Sequence, residues 1–267
     1  MAPTVTVDVS ERIAFITLRR PSTLNALTRE DYTSFANALR SIDKRDDVLV
    51  TVWQATGKWF CAGTDVKGNG RKVGDEIRDI FIESVVRSST DCSQALYSHS
   101  KILVAALNGP VIGIAAAFLG HFDFIYCMPN AWLAVPFTFL GIVAEAGSSV
   151  SFVNRMGLAT ANEVLIWGKK KDAQQLYDCG FINQILPLQS VEAFHGAVRT
   201  LIVEEIRGLD PAALLVVKKL IRTGLNEKNN PDAVNLRESY AQTERFAGGV
   251  PARQFGRIAR KEIRHKL

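Results

Sequence analysis

The chain is poor in the residues that build metal and redox centres. Among 267 residues there are four cysteines and four histidines. Cys61, Cys92, Cys127 and Cys179 stand far apart, with no C-x-x-C pair and no histidine at metal-ligand spacing. A disulfide framework and a local zinc site are excluded, and a reducing compartment is the default. No G-x-S-x-G supplies a nucleophilic serine, and His99, His121 and His195 lack the partner pattern of a triad, so all three read as structural. No apolar run approaches the ~18 residues of a membrane span; even Val111 to Leu119 is closed by Gly120, His121 and Asp123. The amino terminus has no basic-then-apolar order of a signal peptide, and Val5, Val7 and Val9 alternate as a strand does. Repeats, low-complexity stretches and nucleic-acid motifs are absent. The expectation is a soluble chain without a metal, a membrane span or a nucleic-acid partner.

What is present suits a globular protein. A 47% hydrophobic and 22% charged composition and this length allow about three quarters of the unfolded surface to be buried. The net charge is +5, and much of the excess lies at the carboxyl end, where Arg253, Arg257, Arg260, Lys261, Arg264, His265 and Lys266 face only Glu262. Such a tail attracts phosphates, so it reads either as part of a phosphate-bearing ligand's site or as a solvated helix face.

Periodicity gives the order of elements. Val5, Val7 and Val9 followed by Ile13 and Phe15 predict a hairpin around Ser10-Glu11. Thr28-x-x-Asp31 resembles a capping box and leads into Tyr32, Phe35, Ala36, Leu39 and Ile42 at helical spacing. A strand is expected at Val48 to Gln54, a glycine-bounded turn at Gly57 to Gly63, and a helix through Ile77, Ile80, Phe81 and Val85 to about Tyr97. Ile102 to Leu107 reads as a buried strand, Gly113 to Leu119 as a small-residue helix, and Phe124 to Cys127 and Trp132 to Val135 as strands. From Ala159 onward helices dominate, with Thr160 and Ser190 as caps, a short edge strand at Phe181 to Leu186, and helix starts at Pro211, Pro231 and Pro251. Strand, turn and helix alternate, which implies a right-handed α/β coil with largely parallel strands and functional groups at the strand-to-helix turns.

Glu145 is the residue most in need of explanation. It sits in the small-residue turn Gly141-Ile-Val-Ala-Glu-Ala-Gly147, after a stretch from Trp132 to Leu140 that carries no charge. Desolvation raises a carboxylate's pKa, as a base for weakly acidic carbon protons requires. Equally, an acidic residue there could cap a helix starting near Ala146. On the residues alone both readings stand.

Three turns combine small residues with a strand end: Trp59 to Asp65, Leu107 to Ile114, and the Glu145 turn. Small residues let backbone N–H groups approach a ligand, and two such groups form an oxyanion hole. Arg20-Pro21-x-x-x-Asn25-Ala26-Leu27, Phe60-Cys-Ala-Gly-x-Asp65, Asn108-Gly-x-x-x-Gly113 and Pro136-x-x-x-x-Gly141, in this order and over nearly the whole chain, resemble the crotonase (enoyl-CoA hydratase/isomerase) superfamily. The resemblance implies an α/β spiral of ββα turns over residues 1–200, with a helical region over residues 201–267 that makes a trimer or a dimer of trimers and covers the site. It also implies acyl-coenzyme A as substrate, with no separate cofactor.

Carried over by position, the resemblance makes the amides of Thr64 and Ile114 the oxyanion donors. Both depart from the alanine or glycine usual there. It places Asn25, Ala26, Leu27, Ala62, Gly63, Asp65, Val66, Gly113 and Phe137 along the path of the coenzyme and acyl chain, and the acyl pocket against Val66 to Val86. The two glutamates that activate water in hydratases are replaced by Ala117 and Phe137, and without them nothing orients the water. Glu145 falls where peroxisomal Δ3,Δ2-enoyl-CoA isomerases carry their single catalytic glutamate, so the resemblance implies that isomerase reaction in fatty-acid β-oxidation. Hydratase, dienoyl isomerase or other acyl-CoA chemistry in a secondary-metabolite pathway, and a non-catalytic acyl-CoA-binding scaffold, are the rival expectations; the resemblance implies further acidic residues in dienoyl isomerases, which Ala117 and Phe137 do not supply. The terminal His265-Lys266-Leu267 resembles the Ser-Lys-Leu peroxisomal address, which implies an import receptor as partner and the peroxisome, rather than the cytoplasm, as location.

Overall fold

A computed structural model of the chain describes residues 3–66 and 76–265. Lys266 and Leu267 of the terminal tripeptide, and residues 67–75 of the segment expected to wall the acyl pocket, lie outside the described residues. The hairpin expected at the amino terminus is β1 (Val5–Ser10) and β2 (Ile13–Leu18), antiparallel with Val5 opposite Leu18. Its turn holds Glu11 and Arg12 at positive φ, 51° and 65°, as the tight two-residue turns matched to strand twist require. α1 (Arg29–Asp43) starts at a complete capping box, with Thr28 accepting from the Asp31 amide while the Asp31 side chain accepts from the Thr28 amide.

β3 (Val50–Ala55) follows. The helix expected to reach Tyr97 is α2 (Ile77–Asp79), a π-helical segment (Ile80–Thr90) and α3 (Asp91–Tyr97) end to end. β4 (Ile102–Leu107), β5 (Val111–Ile112), α4 (Ile114–Phe118), β6 (Phe124–Cys127), β7 (Trp132–Ala134) and α5 (Phe137–Leu140) complete the alternating part. Thr160 is not a helix start. It lies inside α6 (Ser148–Leu165), which begins twelve positions earlier and is interrupted by Gly157 at φ 74° and ψ 159°. β8 (Lys171–Asp172), α7 (Ala173–Asp178) and the edge strand β9 (Gln184–Ile185) precede α8 (Val191–Ile206), which Ser190 caps by accepting from Ala193 N at 3.1 Å. α9 (Pro211–Lys228), α10 (Pro231–Ala247) and α11 (Val250–Ala259) each carry proline in the first two positions.

The strands form a six-stranded sheet, β1-β2-β3-β4-β6-β9, parallel except for the first pair, and a three-stranded sheet, β5-β7-β8. Strand alternation sorts the large sheet's side chains between two cores. Ile16, Trp53, Ala55, Leu103 and Ala105 face α1, α4 and α6, whereas Phe15, Val50, Val52, Val104 and Ala106 pack under Phe194, Val198 and Ile202 of α8. Burial on both faces is what a parallel sheet needs, and it explains the unbroken apolar run of β4. No described helix is long and apolar enough to cross a membrane.

Candidate active site

Two of the three small-residue turns abut. Cys61 and Val111 form a parallel bridge, and Ile112 N donates to Cys61 O at 3.0 Å. Gly63 has φ +83°, and a Cβ there would lie 3.0 Å from Ile112 O. Gly113, at φ +64°, faces it across the seam, where a Cβ would meet the Gly63 Cα at 4.0 Å. Only glycine combines that conformation with that approach.

The seam presents two amides. Leu27 pairs with the first turn through Gly63 O (2.7 Å) and Asp65 N (2.8 Å), so the Thr64 N–H between them points away from Leu27, as alternation along an extended chain requires. Ile114 is the first residue of α4, where backbone donors have no partner inside the helix. Among the described residues neither amide has a backbone acceptor. The two departures from small residues are absorbed by the surrounding structure. The Ile114 side chain joins the main core, and Thr64 Oγ1 lies 2.6 Å from the hydroxyl of Tyr32 on α1. Burial pushes the Tyr32 phenol well up, so it stays protonated, and the negative charge of Glu145 pushes in the same direction. Tyr32 thus bonds the Thr64 side chain and lies within electrostatic reach of Glu145.

Glu145 is 8% exposed on a turn that continues through Ala146 (φ 61°) and Gly147 (φ 74°) into α6. The capping alternative does not match the structure. The residue preceding α6 is Gly147, and the carboxylate that receives the helix's first amides is Glu238 of α10, with Gly147 N at 2.6 Å and Ser149 N at 2.9 Å. Ser89 Oγ accepts from Ala146 N at 3.1 Å, and His121 Nε2 donates to Ala146 O at 2.7 Å. Burial holds His121 at about 4, neutral, in keeping with a structural role. His99, at 2.8 Å from Thr51 Oγ1, is likewise held at about 4 by burial.

The expected coenzyme-path residues divide by what their side chains do. Asn25, at φ 55°, is buried: Oδ1 accepts from Arg20 N at 2.8 Å, and Nδ2 donates to Thr56 O (2.8 Å) and Trp59 O (2.9 Å). It shapes the turn and offers a ligand only its neighbourhood. Leu27 and Phe137 are core residues, while Ala26 and Ala62 are half-exposed and Val66 is 60% exposed at the edge of the described chain. Asp65 pairs with Arg20 at 3.0 Å, and the same guanidinium reaches Asp31 at 3.2 Å and Ala26 O at 3.0 Å, so Arg20 ties the first two motif segments together. Ala117 and Phe137, which replace the water-activating glutamates, are buried in the core. Among the described residues no cluster of His, Cys, Asp and Glu could hold a metal, and the four cysteines form no disulfide.

Sequence reasoning took Tyr32 only as helix core and gave no role to Ser89, Glu238 or Gln242. Polar residues at helical spacing look the same in sequence whether they face solvent or a buried turn. A cavity of about 400 Å³ lies behind the Glu145 turn, between it and α9, lined by Gly147, His121, Arg155, Lys218 and Arg222 among others. Its charges are largely committed, since Asp123 pairs with Lys218 and Arg222, each at 2.8 Å, and neither Glu145 nor the two amides line it.

Residues 8–248 match the family model described as enoyl-CoA hydratase/isomerase. The Delta(3,5)-Delta(2,4)-dienoyl-CoA isomerase of Pyricularia oryzae is 36% identical, with all of both chains covered. The 3,2-trans-enoyl-CoA isomerase of Saccharomyces cerevisiae is 30% identical over 94% of this chain and 92% of its own. A solved enoyl-CoA hydratase/isomerase of Pseudoalteromonas atlantica superposes with a TM-score of 0.84 at 27% identity, covering 99% of this chain and 100% of the other.

Proposed function

We propose that this chain, which belongs to the enoyl-CoA hydratase/isomerase family, is an enoyl-CoA isomerase that shifts the double bond of a 3-enoyl-CoA to the trans-2 position. In this reading Glu145 takes a proton from C2, the resulting dienolate oxygen accepts from Thr64 N and Ile114 N, and the same carboxyl returns the proton at C4. One proton moves and no electrons leave the substrate, so the reaction asks for no further cofactor. The observation that carries the reading is a buried carboxylate whose helix-capping duty has been taken by another residue, Glu238. Hydration is disfavoured because Ala117 and Phe137 leave no second carboxylate to activate water. Purified protein given 3-hexenoyl-CoA should form the conjugated thioester, seen as a rise in ultraviolet absorbance. Glu145→Gln should abolish this while binding coenzyme A as before, and unchanged turnover in that variant would remove the assignment.

The 36% identity to a dienoyl-CoA isomerase favours a second reading. A 3,5- to 2,4-dienoyl shift carries a proton from C2 to C6, twice the separation that one carboxylate spans between C2 and C4, and so calls for a second acid. Comparing 3-hexenoyl-CoA with 3,5-octadienoyl-CoA decides between the two.

Assembly as a trimer or a dimer of trimers is part of the proposal. Val216, Val217, Leu220 and Ile221 are more than half exposed on α9, an apolar face of the kind that marks an interface. Ile221→Asp should lower the mass measured by light scattering. The basic residues of α11 and the tail are proposed to face the coenzyme's phosphates. The residues after 200 are read as the oligomerising region and cover, and His265-Lys266-Leu267 as a peroxisomal address, to be tested by deleting the tripeptide from a tagged chain.

A further inference from the structure

α10 buries a face that is almost wholly polar: Asn235, Glu238, Ser239, Gln242 and Thr243 are each at most 7% exposed. Burying polar groups is unfavourable unless each finds a partner, and partners fix register in a way apolar contacts do not. Thr243 bonds back to Ser239 O of its own helix at 2.8 Å, and the other four reach the two walls beside Glu145. On one side Asn235 Nδ2 donates to Thr90 O at 3.0 Å and Ser239 Oγ lies 2.7 Å from Thr90 Oγ1. Thr90 ends the π-helical segment, and its neighbour Ser89 holds Ala146 N at 3.1 Å. On the other side residues 238, 242 and 245, one helical stripe, grip the turn itself. Arg245 Nε donates to Gly141 O at 3.0 Å, Gln242 Oε1 accepts from Val143 N at 3.0 Å, and the Glu238 carboxylate accepts from Gly147 N and Ser149 N. Backbone on both sides of Glu145 is therefore held by one helix from outside the spiral. The turn needs this, since Ala146 and Gly147 both sit at positive φ, a conformation unfavourable for alanine.

We propose that Glu238 and Gln242 are positioning residues, which set the reach of the Glu145 carboxylate by fixing the peptides around it. The proposal rests on the reading of Glu145 as the base. A displacement of about 1 Å in a reacting group lowers a rate by about 10²-fold, so loosening the turn should act on kcat and spare binding.

The test compares full-length wild type, Glu145→Gln, Glu238→Gln and Gln242→Met for 3-hexenoyl-CoA isomerisation, for product-thioester binding, and for the folded fraction at the assay temperature. Glu238→Gln retains one acceptor and turns an amide donor toward the second N–H; Gln242→Met keeps the volume and removes the acceptor for Val143. The expected result is a kcat per folded molecule lowered about 10-fold or more in each, with KM and product affinity within about twofold of wild type. Wild-type kcat per folded molecule in both variants, or losses that follow the folded fraction alone, would overturn the proposal while leaving the Glu145 reading intact if Glu145→Gln is dead. Full turnover by Glu145→Gln would overturn both. Should Glu238→Gln fail to fold, Gln242→Met decides by the same two numbers.

Discussion

Acidification from pH 7 to pH 5 should cost this protein a large part of its stability, because two buried histidines cannot take up the proton that the unfolded chain takes. His99 and His121 are 3% and 6% exposed and are held at about 4 chiefly by burial, with nearby Lys218 and Arg222 acting in the same direction. In the unfolded chain an imidazole titrates near 6.5. The folded state thus binds fewer protons than the unfolded state between these values, so stability is fully present above about pH 7, falls through the window from 6.5 to 4, and levels off below it. Linkage gives roughly 2 kcal/mol lost per histidine between pH 7 and pH 5, roughly 4 kcal/mol for the pair, with a slope of roughly 1 kcal/mol per pH unit each near the middle of the window. His195, also held at about 4 by burial, adds to the loss in the same direction, whereas Glu238, raised by burial, titrates with the opposite sign and softens the lower end. Against a total of about 5–15 kcal/mol this is a large fraction. Urea unfolding at pH 7, 6 and 5, at fixed protein concentration, measures it, and His99→Gln should remove about half of the pair's pH dependence. Equal stability at pH 7 and pH 5, or imidazole resonances of the folded chain titrating near 6.5, would refute the reasoning.

Three further outcomes follow from the site. Tyr32→Phe removes the partner of Thr64 Oγ1 at 2.6 Å and should lower stability by about 1 kcal/mol; kcat should fall several-fold at constant KM, as steady-state rates will show. Asn25→Ala deletes an acceptor and two donations to buried backbone, a loss of roughly 2–4 kcal/mol, and calorimetry finding under about 1 kcal/mol would show that water replaces them. Gly63→Ala forces a side chain into φ +83° against Ile112 O; it should cost about 1–2 kcal/mol by strain and reduce kcat more than thermal stability, because the displaced turn carries the Thr64 amide.

Local chemistry was readable wherever a few neighbouring residues complete a physical unit. The capping box at Thr28 and Asp31 is formed, Ser190 caps α8, and the prolines at 211, 231 and 251 sit at helix starts. Each is satisfied by atoms within about one turn. Thr160 misled because a capping residue type says nothing about whether the preceding backbone is already helical, and α6 runs through it from Ser148. The strands β5 and β8 are two residues long, too short for a period of two to register.

The site was legible in part. The small-residue turns were visible in the sequence, but the choice of the Thr64 and Ile114 amides came from the family resemblance; their placement depends on glycines that only a close approach of two turns explains. Whether Glu145 caps a helix was open in the sequence and was decided by Glu238, ninety-three positions later in the chain. Tyr32, Ser89 and Gln242 likewise have their partners far away in sequence.

By itself the amino-acid sequence determined the α/β alternation, the helix starts, the lack of metal-ligand and disulfide patterns, and the family to which the turns are similar. All of these depend on the intrinsic geometry of short segments and on residue type. Only the tertiary structure decided which carboxylate caps α6, where the hydroxyl of Thr64 turns, and what holds the backbone on either side of Glu145. Those are contacts between segments that meet only when the chain closes, and a directional hydrogen bond between them has no signature in either segment alone.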